Sequence, residues 1–180
     1  MKIYEEKKMI KIPPFVKMLL LSILAVLTQT TSVVHGESLD IIGRVEMVTI
    51  LPENISVKAK VDTGAKNSSL HCECTNTFRK NDEEWVSFTL TNYKGEKTVI
   101  SRKIERMSTI KRHFGKQQER YVIKLTLCLG GKSREVEVNL VNREGFNYQM
   151  LLGRTYLEGL FLIDPAETFI GKPKCDQKNQ

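Results

Sequence analysis

The stretch VKAKVDTGAKNSSLHCEC, Val57 to Cys74, decides how this chain is read. Val57, Ala59 and Val61 alternate with Lys58 and Lys60, the period of a strand with one buried face. Asp62-Thr63-Gly64-Ala65 interrupts that alternation, and Ser69 to Cys74 is predicted to return the chain into a second short strand. Asp62 therefore sits in a tight turn between strands. It is either a turn former or a carboxylate displayed for chemistry, and Gly64 permits the close backbone in both cases.

Outward from this loop the strand signals continue. Ile41 to Leu51 is apolar and β-branched, and Pro52-Glu53-Asn54 breaks it before Ile55 to Val61. Trp85 to Thr91 alternates, turns at Asn92 to Gly95, and returns through Thr98 to Ile104. Arg106 to Arg112 and Glu119 to Leu129 flank a turn at His113 to Lys116. Gly130-Gly131 leads into Arg134 to Val141. One short helix is expected at Arg154 to Glu158, closed by Gly159, then a last strand at Phe161 to Ile163. Many short strands with turns between them predict an all-β, closed or nearly closed barrel with one short helix.

The first 36 residues read differently. Lys2, Lys7, Lys8, Lys11 and Lys17 precede the apolar run Met18 to Leu27. Ten residues rise about 15 Å as helix, about half a bilayer core. That is the length of a signal-peptide core, and cleavage is expected near Gly36. An uncleaved anchor is the alternative, and would be the chain's one membrane contact. The resulting divisions are a leader at 1–36, a domain at 37–172 and a tail at 173–180, with a periplasmic or secreted location. The net charge is +7; the leader's five Lys and two Glu carry three of those charges, leaving +4. This is too small an excess to point to nucleic acid.

Cys72, Cys74, Cys128 and Cys175 are the four cysteines. On a continued strand Cys72 and Cys74 would share a face and not pair with each other. Free thiols or one disulfide are expected. His71, Cys72 and Cys74 lack the spacing of a zinc site, so no metal or other cofactor is expected. Gly130-Gly131-Lys132-Ser133 ends like a phosphate-binding loop, but Thr126 stands where the first glycine belongs.

An apolar strand entering Asp-Thr-Gly-Ala, followed far downstream by Leu151-Leu152-Gly153-Arg154, resembles the paired signatures of retropepsin-like aspartic proteases. The hairpin VIKLTLCLGGKSREVEVNLV before the second motif is similar too, and the likeness runs from Met47 to Gly171. VDTGAKNSSLHC with GFNYQMLLGRTYLEGLFLIDP resembles in particular a bacterial family labelled ATP-dependent zinc proteases, whose relatives are linked with ATP-grasp amino-acid ligases. Members usually read Asp-Thr-Gly-Ala-Arg-Thr-Ser-Ala-Leu-His. Lys66, Asn67 and Ser69 depart from that pattern, and Ser68, Leu70 and His71 match it.

The resemblance implies a retropepsin-like barrel and an exported endopeptidase acting on peptides or proteins. Asp62 would be catalytic, in a loop with Thr63, Gly64 and Ala65. The chain holds one Asp-Thr-Gly, so a shared-proton carboxylate pair would need Asp62 of a second copy in a homodimer. The His113 to Gln117 turn is the expected flap, and the Asn92 to Gly95 hairpin the expected insertion. A non-catalytic peptide-binding module of the same fold, and a metal-dependent hydrolase, are the alternatives.

Overall fold

The computed structural model describes residues 13–15, 38–72, 74, 76–110 and 117–171. The chain forms two compact units, Met1–Glu37 and Ser38–Gln180. The leader, apart from residues 13–15, the 111–116 turn and residues 172–180 lie outside the described residues. Among those described, no helix is long and apolar enough to cross a membrane.

The second unit is built from β1 (Asp40–Gly43), β2 (Val45–Leu51), β3 (Ile55–Val61), β4 (Ser68–His71), β5 (Asn76–Lys80), β6 (Glu83–Thr91), β7 (Lys97–Lys103), β8 (Arg106–Ile110), β9 (Gln118–Leu129), β10 (Lys132–Val141), β11 (Met150–Leu152), α1 (Arg154–Leu157) and β12 (Phe161–Asp164). Strands β10, β4, β11, β3, β2 and β9 hydrogen-bond in that order, and β9 pairs back onto β10. The result is a closed six-strand barrel, the retropepsin-like fold expected from the sequence. Closure leaves these six strands without a free sheet edge. β8 extends the ring beside β9.

The alternation at 55–61 holds residue for residue. Ile55, Val57, Ala59 and Val61 are buried, while Lys58 and Lys60 are exposed. Their apolar side chains meet Leu70, Leu125, Leu127, Val138, Met150 and Leu152 in one core. β9 and β10 turn through Gly130 and Gly131, with φ of 63° and 82°. Two left-handed residues in a two-residue loop make the turn whose twist suits a hairpin, and glycine adopts it without strain.

Three expectations are corrected. The run predicted as one strand over Ile41 to Leu51 is two, divided at Arg44. Gly43 lies against the Glu167 backbone, where no side chain fits. β1 therefore leaves the barrel to pair in parallel with β12. The buried Glu46 carboxylate accepts the Gly43, Ile170 and Gly171 amides and fastens this junction. Second, β5 was not predicted, because Asn76 to Lys80 is exposed at every residue and shows no apolar alternation. β5, β6 and β7 form a separate three-stranded sheet, so the Asn92 to Gly95 hairpin belongs to an added layer.

Third, β4 ends at His71, and Cys72 and Cys74 form a disulfide. Off the strand the alternation of faces no longer applies. Cys128 is disulfide-bonded as well.

Candidate functional site

β3 delivers Asp62 to the end of the barrel. The Asp62 amide donates to the Leu152 carbonyl at 2.9 Å, so the strand pairing of β3 with β11 runs into the loop. One carboxylate oxygen, Oδ1, accepts the amides of Gly64 at 2.9 Å and Ala65 at 3.2 Å. Asp62 is thus a turn former in its own loop. A side chain on Gly64 would begin 3.2 Å from that oxygen, a tight approach that glycine avoids. Thr63 and Gly64 are exposed, and Asp62 and Ala65 half-buried.

The second motif is what holds this loop. β11 threads between β3, to which it is parallel, and β4, to which it is antiparallel. Leu152 is fully buried and Leu151 half-buried. A Cβ on Gly153 would stand 2.5 Å from the Asn67 carbonyl carbon. The Gly153 amide donates to the Ser68 hydroxyl at 3.1 Å. The Arg154 and Thr155 amides donate to the Ala65 and Lys66 carbonyls, and the Arg154 guanidinium donates to the Thr63 and Gly64 carbonyls at 3.0 and 2.8 Å. The structure therefore brings together all eight residues named from the two motifs. Ser68, Leu70 and His71 have buried or hydrogen-bonded side chains, and so has Ser69, one of the departures; Lys66, another departure, is exposed and engages Thr155 through its backbone.

Sequence reasoning missed Arg143, which follows β10 in a loop with no motif to mark it. Its Nε donates to the Tyr148 carbonyl at 3.0 Å and its Nη1 to the Ser69 hydroxyl at 3.2 Å. Its amide donates to His71 Nδ1 at 2.9 Å. The guanidinium lies 4.8 Å from the Phe146 ring centroid. Burial pulls its pKa below the usual arginine value, and the negative charge of Asp62 opposes that shift. The charges of Asp62 and Arg143 therefore act on each other, with no direct ion pair between them among the described residues. Among the described residues no other carboxylate bonds to Asp62, because the other aspartates lie on other elements. Nor do three or more His, Cys, Asp or Glu side chains gather as metal ligands among those residues. Of the three zinc candidates, Cys72 and Cys74 are spent on each other.

The chain matches, over residues 41–174, the family model RimB-like, described as "Retropepsin-like aspartic endopeptidase RimB". It is 39% identical over 124 residues to a "Probable alpha-L-glutamate ligase" of Shewanella pealeana, covering 67% of this chain and 27% of that protein. A protein of the same name from Parasynechococcus marenigrum is 34% identical over 126 residues, 68% of this chain and 27% of the relative. The chain thus spans about a quarter of the length of these curated relatives. A crystal structure of a Legionella pneumophila protein of unknown function superposes with a TM-score of 0.63 at 34% identity, over 75% of this chain and all of the other.

These names correct one expectation. An exported endopeptidase with an Asp62 pair is overturned by curated relatives at 34–39% identity that are named as ligases. The resemblance in the two motifs carries the fold and the loop geometry. It does not carry the activity.

Proposed function

The chain belongs to the RimB-like, retropepsin-like family, and from that premise we propose that it is a recognition unit for glutamyl peptides, working alongside α-L-glutamate ligation. The observation that carries this is the Arg143 guanidinium, held by Tyr148 and Ser69 and within reach of the Asp62 charge. Arg143 is half-buried, its Nε and Nη1 are occupied by Tyr148 and Ser69, and its Nη2 makes no hydrogen bond among the described residues. A guanidinium immobilised in this way is prepared for a carboxylate, because little side-chain freedom remains to be lost on binding. The second Asp62 oxygen, Oδ2, likewise accepts no bond among those residues. It is placed to take an amide or amino N–H. A glutamyl residue presents both groups, and an α-linked one keeps its side-chain carboxylate free.

The relatives' names supply the glutamate, and they belong to proteins about four times the length matched here. We propose a second copy of the chain as a further partner. Its support is the exposed apolar strip of Ile41 and Leu162, adjacent in register on β1 and β12.

The test is calorimetric titration with N-acetyl diglutamate and N-acetyl diglutamine. Glutamate is expected to bind at least tenfold more tightly. Arg143→Met should remove that preference, since about 1.5–3 kcal/mol attaches to a hydrogen bond with a charged partner. Equal binding of the two peptides by the unmodified protein would overturn the reading.

A further inference from the structure

β4 ends where the chain closes a bond that a strand cannot make. Two steps along a parallel strand advance about 6.6 Å, at about 3.3 Å per residue. The Cα atoms of Cys72 and Cys74 are 5.1 Å apart and their sulfurs are joined. The bridge and an extended chain at this place therefore exclude each other. The two cysteines are separated by two positions, and so short a ring takes little freedom from the unfolded chain. The bridge acts on local conformation more than on the stability of the barrel.

The parallel pairing of β4 with β10 shows what it acts on. Leu70 is opposite Leu140 and His71 opposite Val141. The next rung would set Cys72 opposite Asn142. In a parallel pair a residue donates to the carbonyl before its partner and accepts from the amide after it. The first half of this rung is made: the Cys72 amide donates to the Val141 carbonyl at 3.1 Å. The second half would take the Arg143 amide to the Cys72 carbonyl. That amide donates instead to His71 Nδ1, at 2.9 Å. One N–H thus has two competing acceptors on neighbouring residues, and the ladder's own acceptor is the one not taken.

We propose that Cys72 and Cys74 form a thiol–disulfide switch that decides which acceptor the Arg143 amide takes. With the bridge closed, the amide stays on the imidazole. With it open, the chain runs on extended, the Cys72 carbonyl completes the rung, and His71 Nδ1 is released. The co-reactant is a dithiol. Its thiolate attacks Cys74 Sγ, since Cys74 is half-buried and Cys72 only 3% exposed. A mixed disulfide forms, and Cys72 leaves as thiolate and takes up a proton. The second thiol of the reductant then attacks the reductant's own sulfur in the mixed disulfide and frees Cys74. Two electrons and two protons pass from the dithiol to the bridge, and the dithiol leaves as a disulfide. The switch goes beyond the ligand reading above, because it acts on Arg143 whatever that arginine binds.

The experiment follows the full chain by nitrogen and proton NMR before and after dithiothreitol, with alkylation and mass spectrometry to show which cysteines have opened. Cys72 and Cys74 are expected to open together while the barrel stays folded. The His71 Nδ1 resonance should lose the shift of a hydrogen-bond acceptor, and the Arg143 amide resonance should move with it. Cys72→Ser/Cys74→Ser, which cannot close the bridge, should show both resonances at the reduced positions without any reductant. A bridge that resists the dithiol in the folded protein overturns the proposal. So do His71 and Arg143 resonances that stay the same when the bridge opens. Changes in the reduced parent that the double-serine protein does not share belong to the Cys128 disulfide and also overturn it.

Discussion

Gly153 is the residue on which the loop depends. A Cβ there would meet the Asn67 carbonyl carbon at 2.5 Å, its oxygen at 2.6 Å and the Lys66 oxygen at 2.8 Å. All three are backbone atoms, so no rotamer change relieves the clash. Gly153→Ala should push β11 away from the Asp62 loop and break the Gly153–Ser68 and Arg154–Ala65 bonds. A loss of several kcal/mol, about 3 or more, is expected where backbone must move and buried donors lose partners. Thermal unfolding of Gly153→Ala checks it, and a melting temperature equal to the parent's would refute the close approach. The motif Leu-Leu-Gly-Arg was legible in the sequence. Arg143 was not, because a single arginine in a loop carries no periodicity and no spacing to a partner 81 positions earlier in the chain.

At the scale of elements, β1 and β12 form a two-stranded parallel sheet outside the barrel. Ile41 is 59% and Leu162 53% exposed, and the two are adjacent in register. Two large aliphatic residues side by side on a short open sheet suit a second copy of the same sheet. Leu162→Glu should therefore shift the protein to monomer in sedimentation, since it sets like charges facing each other across a two-fold axis. A dimer that persists with this substitution removes the strip as the interface, and a parent protein that is monomeric removes the proposed partner. This pairing was hidden in the sequence. The run from Ile41 to Leu51 reads as one strand, and only the contact of Gly43 with the Glu167 backbone divides it.

For the molecule as a whole, the barrel closes over Tyr156, which is fully buried. Its hydroxyl donates to the Lys132 carbonyl at 3.0 Å. Burial pushes its pKa well above the usual tyrosine value. The folded state therefore keeps the neutral phenol at pH values where the unfolded chain begins to ionise, at about 10. Stability from this group is fully present below about pH 10 and falls as pH rises toward the folded value. Denaturant midpoints should drop steeply above about pH 10 in the parent. Tyr156→Phe should cost about 1 kcal/mol at neutral pH, through the lost hydrogen bond, and should flatten that alkaline decline. Identical slopes for the two proteins would assign the decline to other groups.

By itself the sequence determined most of the strands, the buried face of β3, the Asp62 turn and the glycine of the second motif. Each of these depends on neighbours a few residues away: alternation at 55–61, a left-handed pair at 130–131, a small residue after two leucines. Only the tertiary structure decided the rest. Cys72 and Cys74 pair because β4 stops at His71, where its partner β10 also ends at Val141. Arg143 comes within reach of the Asp62 charge because β10 and β3 are strands of one closed barrel. Ser87 and Thr89 of β6 line one cleft with His71 because an added sheet packs there. These are encounters between distant segments, and local pattern holds no record of them: ring closure chooses which side chains meet, after each strand has chosen which face it buries.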